Sequence, residues 1–271
     1  RLQAQLGQPI LVDYKAGAGG TVGAQEVMRA TPDGHTLMLA NTGVMVINPA
    51  LYTKLPYSTL RDFVPVARTA MQPLALLVNP KVPVNTLQEF VAYAKARPGQ
   101  INYGSAGNGG SSHLVPEMFK SATGLFMVHI PYRGSAPAFT DLMAGQVQFM
   151  AESIPQAAQY HKQGKVRALA VTSRERNPAL PDIPTVMDTG IKNFEVVGFY
   201  GFLAPAGTPK DVVNKLSDAF KAVMNQPDIR QRMVAQGADP AYLGADDFAK
   251  FLTAEMPRWA AVVQKSGAKL D

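Results

Sequence analysis

Short apolar runs alternate with helical patterns along most of the chain. Apolar runs at 9–14 (PILVDY), 35–41 (HTLMLAN), 63–70 (FVPVARTA), 74–80 (LALLVNP), QINYGS, FMVHIPY, VQFMAES, VRALAVTS and VVGFYGFLAPAG predict strands. Between them, GGTVGAQEVMRATPDG, TLQEFVAYAKARPG, SSHLVPEMFKSATG, APAFTDLMAGQ and IPQAAQYHKQG predict helices. Leu87, Phe90, Val91 and Ala94 share one helical face, Thr86 with Glu89 three residues on forms a capping box, and Pro98-Gly99 stops the helix. The tail is helical: PKDVVNKLSDAFKAVMN, PDIRQRMVAQG and DDFAKFLTAEMPRWAAVVQKSG, with Trp259 among Met256, Val262 and Val263 as a core residue.

Strands alternating with helices predict an α/β fold with mostly parallel sheets. Residues 103–200 have their own series of strand–helix units and form the expected second lobe. Residues 1–102 and 201–271 form the first. The chain is expected to cross between lobes near INYGS and GFYGFLAP, which sets the carboxyl ends of two sheets across one cleft.

With 271 residues the chain can bury a substantial core, and 46% hydrophobic with 17% charged residues suits a globular protein. The net charge is +6, but the basic residues are dispersed and the densest run, RERNP at 174–178, contains a glutamate. Nucleic acid is therefore not an expected partner. There is no cysteine, which excludes disulfides and thiol chemistry, and no apolar run nears the ~20 residues that span a bilayer.

Three loops follow strands and lead into helices: KAGAGGTVG (15–23), SAGNGGSSH (105–113) and PYRGSAPA (131–138). A helix N-terminus offers unpaired N–H groups and the positive end of the dipole, an anion site without a charged side chain. Ser111, Ser112 and Ser135 add hydroxyls; the competing reading is that the glycines only make tight turns. A P-loop fails because Gly110 stands where lysine is needed, a dinucleotide loop because Val22 replaces its third glycine, and a nucleophile elbow because the glycine after Ser111-Ser112-His113 is missing.

The histidines at 35, 113, 129 and 161 show no metal-ligand spacing, so no metal or cofactor is expected. His113, in the first turn of a helix, either contacts a ligand or packs and caps. Glu152 ends a strand and faces either a ligand or the surface. Arg133 either clamps a carboxylate or locks its own loop through an ion pair.

Taken together, residues 6–43, 103–147, GKVRALAVTS, FYGFLAPAGTP and the closing RWAAVVQKSGAKLD resemble the extracytoplasmic solute receptors of tripartite tricarboxylate transporters, the Bug family. The resemblance covers essentially the whole chain. It implies a periplasmic two-lobed binding protein of the second structural type, monomeric, without catalysis or cofactor. It also implies a small organic mono- or dicarboxylate as ligand and integral membrane subunits as partners. Carried over by position, the second-lobe contacts are Ser105, Ala106, Gly107 and Ser111, with Gly134, Ser135 and Ala136. The first-lobe contacts are Asn41 and Thr42, with Gly19, Gly20 and Thr21.

Two departures matter. The family opens with a strand and a P-P-G-G-type loop, whereas this chain starts within the following helix. The sequence is thus expected to be an incomplete view of the mature protein, lacking a signal peptide and the first strand of lobe 1. Glu152 stands where the family commonly has aspartate, so the ligand of a relative does not transfer directly. An α/β enzyme or a soluble carboxylate sensor using the same cleft is the alternative.

Overall fold

The computed structural model describes residues 1–15 and 17–266. The strands are β1 (Met38–Asn41), β2 (Phe63–Val78), β3 (Asn102–Ser105), β4 (Val128–Pro131), β5 (Phe149–Ser153), β6 (Arg167–Val171), β7 (Val197–Pro205) and β8 (Asp239–Gly244). The helices are α1 (Leu2–Leu6), α2 (Thr21–Met28), α3 (Asn48–Leu51), α4 (Thr59–Asp62), α5 (Leu87–Lys95), α6 (Ser111–Thr123), α7 (Ser135–Ala144), α8 (Ile154–Lys162), α9 (Lys210–Met224), α10 (Pro227–Ala235) and α11 (Ala245–Ser266). A π-helical turn, Gly43–Ile47, joins β1 to α3.

The organising element is β2. Its first part, Phe63 to Pro73, pairs with β7, and residues 67–71 also pair with β8. From Leu74 to Val78 the same strand pairs instead with β5 and β6. One 16-residue strand therefore belongs to two sheets. The sequence pattern predicts two strands here because Pro73 interrupts it. Pro73 falls where the strand passes from one sheet to the other, a place where a missing N–H is tolerated. The next N–H, that of Leu74, donates to Thr172 Oγ1 at 2.9 Å. Thr172 N donates to Leu74 O, and Val196 N donates to Thr172 O, both at 2.9 Å. These bonds lace the outgoing crossing at 73–74 to the returning one at 196–197. Pairing thus puts the first crossing in β2 and not at INYGS. Residues 74–102 go with the second sheet, against the expected division at 102.

The α/β reading holds, but strand directions differ from the expectation. Parallel pairing joins β3 to β4 and β5, with a further parallel bridge between Val171 and Thr185. Because β2 and β7 traverse both halves in opposite directions, β2 is antiparallel to β5, β6, β7 and β8, and β7 to β1. PILVDY, expected as a strand, forms none: Leu11 is 90% and Tyr14 87% exposed. Its apolar run carries the composition of a strand, yet no described strand pairs with it. β8 was missed because Pro240 and flanking polar residues hide its pattern.

α5 forms as the sequence predicts. Thr86 accepts from Glu89 N while the Glu89 carboxylate accepts from Thr86 N, completing the capping box. Phe90 of that helix stacks on Phe149 and Phe119, with ring centroids 4.9 and 6.4 Å away. Full burial of each ring contributes about 1.5–3 kcal/mol. α11 lies against β2 in one half and α6 in the other, and buries Trp259. The two sheets therefore share one continuous core behind the cleft.

Candidate functional site

Between the two halves lies a cavity of about 270 Å³, lined by Gly19, Asn41–Gly43, Asn48, Tyr52, Gln72, Leu74, Ala106–Ser111 and Gly198–Tyr200. That is the volume of roughly nine waters at ~30 Å³ each, enough for a small metabolite. The lining contains no Asp, Glu, His, Lys or Arg. Its polarity comes from backbone amides, hydroxyls and side-chain amides.

One wall is built from the first half. Asn48 Nδ2 donates to Gly19 O at 3.0 Å, and Asn41 Oδ1 accepts from Val44 N at 3.1 Å. Thr42 Oγ1 accepts from Phe199 N at 2.7 Å, tying this wall to the returning strand. That contact needs Gly198, where an added Cβ would sit 3.3 Å from Thr42 Oγ1 and 3.4 Å from Gln72 O.

The opposite wall is the loop from Ser105 to Gly110 and the first turn of α6. Ala106 N donates to Ser112 Oγ at 3.0 Å and Gly107 N to Ser105 Oγ at 3.2 Å. Gly109 N donates to His113 Nδ1 at 3.0 Å. The N–H groups of Ser111 and Ser112 have no acceptor among the described residues, as expected in a first helical turn. They point the positive end of a 13-residue helix at the cavity.

Of the expected contacts, the structure brings Gly19, Asn41, Thr42, Ala106, Gly107 and Ser111 together on the cavity. It does not place Gly20, Thr21, Ser105, Gly134, Ser135, Ala136 or Glu152 there. Ser105 is 0% exposed; its Oγ lies 2.6 Å from His129 Nε2 and supports the loop from beneath. The third glycine loop is set behind the second: Tyr132 N donates to Ser105 O and Gly134 N to Ala106 O. The Gly134 N–H that the sequence reading offers to an anion thus serves a carbonyl. Gly20 and Thr21 start α2 behind Gly19, with Thr21 buried.

His113, 7% exposed, packs and caps and is not on the cavity. Arg133 is exposed and makes no ion pair among the described residues, so neither reading offered for it is seen. Glu152 is 8% exposed; its Oε1 accepts from Ser153 N at 2.8 Å, while Oε2 has no hydrogen-bond partner among the described residues. Burial pushes the Tyr200 phenol up, a hydrogen bond with Gln72 offsets part of this, and the Glu152 carboxylate adds to it.

Lining residues that sequence reasoning did not name as contacts are Gly43, Asn48, Tyr52, Gln72, Leu74, Asn108, Gly109, Gly110 and Gly198–Tyr200. The residues at the crossing were invisible because β2 was read as two strands. Asn48 opens α3 and Tyr52 follows it in extended backbone, and neither the glycine nor the apolar run before them marks a site. Among the described residues there is no cluster suited to a metal and no helix long and apolar enough to cross a membrane.

Two linked α/β halves with an uncharged, amide-lined cleft at their junction define a solute-binding protein. The chain matches the model of the tripartite tricarboxylate transporter family receptor over residues 1–268, and it belongs to that family. It is 34% identical to Protein BugT of Bordetella pertussis over 99% of this chain and 83% of that protein. A solved structure described as a periplasmic transporter superposes with a TM-score of 0.89 at 40% identity, over 100% of this chain and 91% of that one. R. palustris Rpa4515, solved with adipate, gives 0.89 at 31% identity, over 99% and 92%.

Proposed function

We propose that the protein is a periplasmic receptor that holds a small organic mono- or dicarboxylate in the cleft and presents it to the membrane subunits of a tripartite tricarboxylate-type transporter. It works as a monomer and does no chemistry on its ligand. The observation that carries this reading is the cavity facing the first turn of α6 with unpaired N–H groups and no acidic side chain in its lining. Adipate in Rpa4515 supports the ligand class.

Against the enzyme alternative stands the environment of Ser105 and His129. Their 2.6 Å contact has the form of a nucleophile–base pair, but Ser105 is 0% exposed and no substrate reaches its Oγ. A thermal-shift panel of aromatic and aliphatic mono- and dicarboxylates tests the receptor reading. A ligand that binds only the folded state adds ~2.7 kcal/mol at a hundredfold excess over Kd. A melt unmoved by every acid overturns the proposal, and turnover of any of them favours an enzyme.

A further inference from the structure

Behind the second wall of the cleft lies a stack of three rings. His113 and His129 stack nearly parallel, with centroids 3.9 Å apart and an interplanar angle of 7°, and Tyr103 stacks on His129 at 4.8 Å. Each histidine holds the loop that faces the cavity. His113 Nδ1 accepts the Gly109 N–H, so its proton is on Nε2. His129 Nε2 meets Ser105 Oγ, which in turn contacts both the N–H and the carbonyl of Gly107. The geometry points to His113 and His129 as positioning residues that hold the Ser105–Gly110 loop in its ligand-binding form only while both imidazoles are neutral. This rests on the carboxylate reading of the same loop.

The physical case has two parts. A protonated His113 carries hydrogens on both nitrogens and turns Nδ1–H against Gly109 N–H, so the bond that shapes the loop cannot persist. Two imidazolium rings at this separation also repel in a setting with little water. The ionisable groups around the pair do not remove either constraint. Glu117, on the same helix as His113, accepts from the Tyr103 hydroxyl and, at 2.7 Å, from Lys120 Nζ. Glu255 on α11, which packs on α6, bonds Arg258 and Trp259, and Glu152 on β5 turns to Ser153 N. Burial lowers the His113 pKa, with Glu117 opposing and Lys120 adding to the shift. Burial first, then the charges of His113 and Lys120, push His129 down to about 3. The loop is therefore intact at neutral pH, and acid opens it.

Two variants separate this from ordinary packing. Asparagine at 113 keeps an acceptor for Gly109 N–H but does not titrate. Phenylalanine keeps the stacked ring and loses the acceptor. In ligand-free protein, the Gly109 amide resonance is expected to move with His113 protonation and to stay fixed in H113N. Calorimetry with malate and adipate from pH 7.5 to 4.5 gives the binding readout. The ratio of wild-type to H113N affinity is expected to hold near neutrality and fall about threefold or more at pH 4.5. H113N serves as the reference because it shares any titration of the ligand. H113F is expected to bind more weakly at every pH. A Gly109 amide that ignores His113 overturns the inference whether or not a ligand is found, as does a flat ratio with binding intact. If neither acid binds at pH 7.5 while the amide titrates, the positioning role stands and the carboxylate reading fails.

Discussion

The two walls of the cleft look alike in sequence and are held in different ways. Both are glycine-rich loops running into a helix, KAGAGGTVG and SAGNGGSSH. The first is tightly packed and pinned by the Asn48 amide, which donates to Gly19 O at 3.0 Å. Gly20 has φ +89°, and a Cβ there would sit 2.5 Å from Val44 Cγ2; at Gly19 it would sit 3.1 Å from the Tyr52 hydroxyl. The second wall is less tightly packed: a Cβ at Gly107 would make only ordinary contact, with Tyr132 O at 3.5 Å. Its backbone N–H groups donate to Ser105 Oγ, Ser112 Oγ and His113 Nδ1, which shape it. A wall held by packing and side-chain amides is indifferent to protons near neutral pH, whereas a wall held by imidazole acceptors is not.

Crowding the first wall has the largest expected effect. Gly20→Ala combines a left-handed backbone with overpacking against Val44, which together cost about 2–4 kcal/mol. Chemical denaturation is expected to show that loss unchanged between pH 7.5 and 5.5. A loss that varies with pH would show that a titrating group also supports the first wall.

The second wall gives the next effect, with its sign fixed by the histidines. His129 has a folded pKa pushed down to about 3, against 6.5 for an ordinary histidine. The stability contributed by the neutral ring is fully present above about pH 6.5 and is lost as pH falls toward the folded value. The slope is at most about 1.4 kcal/mol per pH unit for each histidine. His129→Gln, which retains a group able to meet Ser105 Oγ, is expected to flatten this acid limb of the melting curve. A limb identical to wild type would place the titration elsewhere.

Ser112→Ala follows. It leaves the half-buried Ala106 N–H without its 3.0 Å acceptor, at about 1–2 kcal/mol. Because Ala106 lines the cavity, affinity for a carboxylate is expected to fall with it, where a purely structural bond would leave calorimetric Kd unchanged.

How much of this was legible follows from the same contrast. Local signals read well: the α5 capping box, the glycine loops entering α2 and α6, and the burial of Trp259. What failed depends on long-range pairing. Pro73 reads as a strand end in any window, and only the hand-over from β7 to β5 shows why β2 continues. His113 and His129 are 16 positions apart in sequence, so their 3.9 Å stack leaves no spacing pattern. Asn41 and Thr42, carried over from the family resemblance, line the cavity. Gln72 and Gly198 line it too but were not named, since strands that cross between sheets have no local signature.

The smallest effect is the control that keeps the comparison honest. Thr86→Ala removes the cap of α5, whose Phe90 anchors the second half far from either wall, at about 1 kcal/mol. Stability is expected to drop while carboxylate affinity and its pH dependence stay at wild-type values. If instead affinity falls as it does in Ser112→Ala, then general softening of the second half suffices to open the loop, and the histidine stack has no special claim on it.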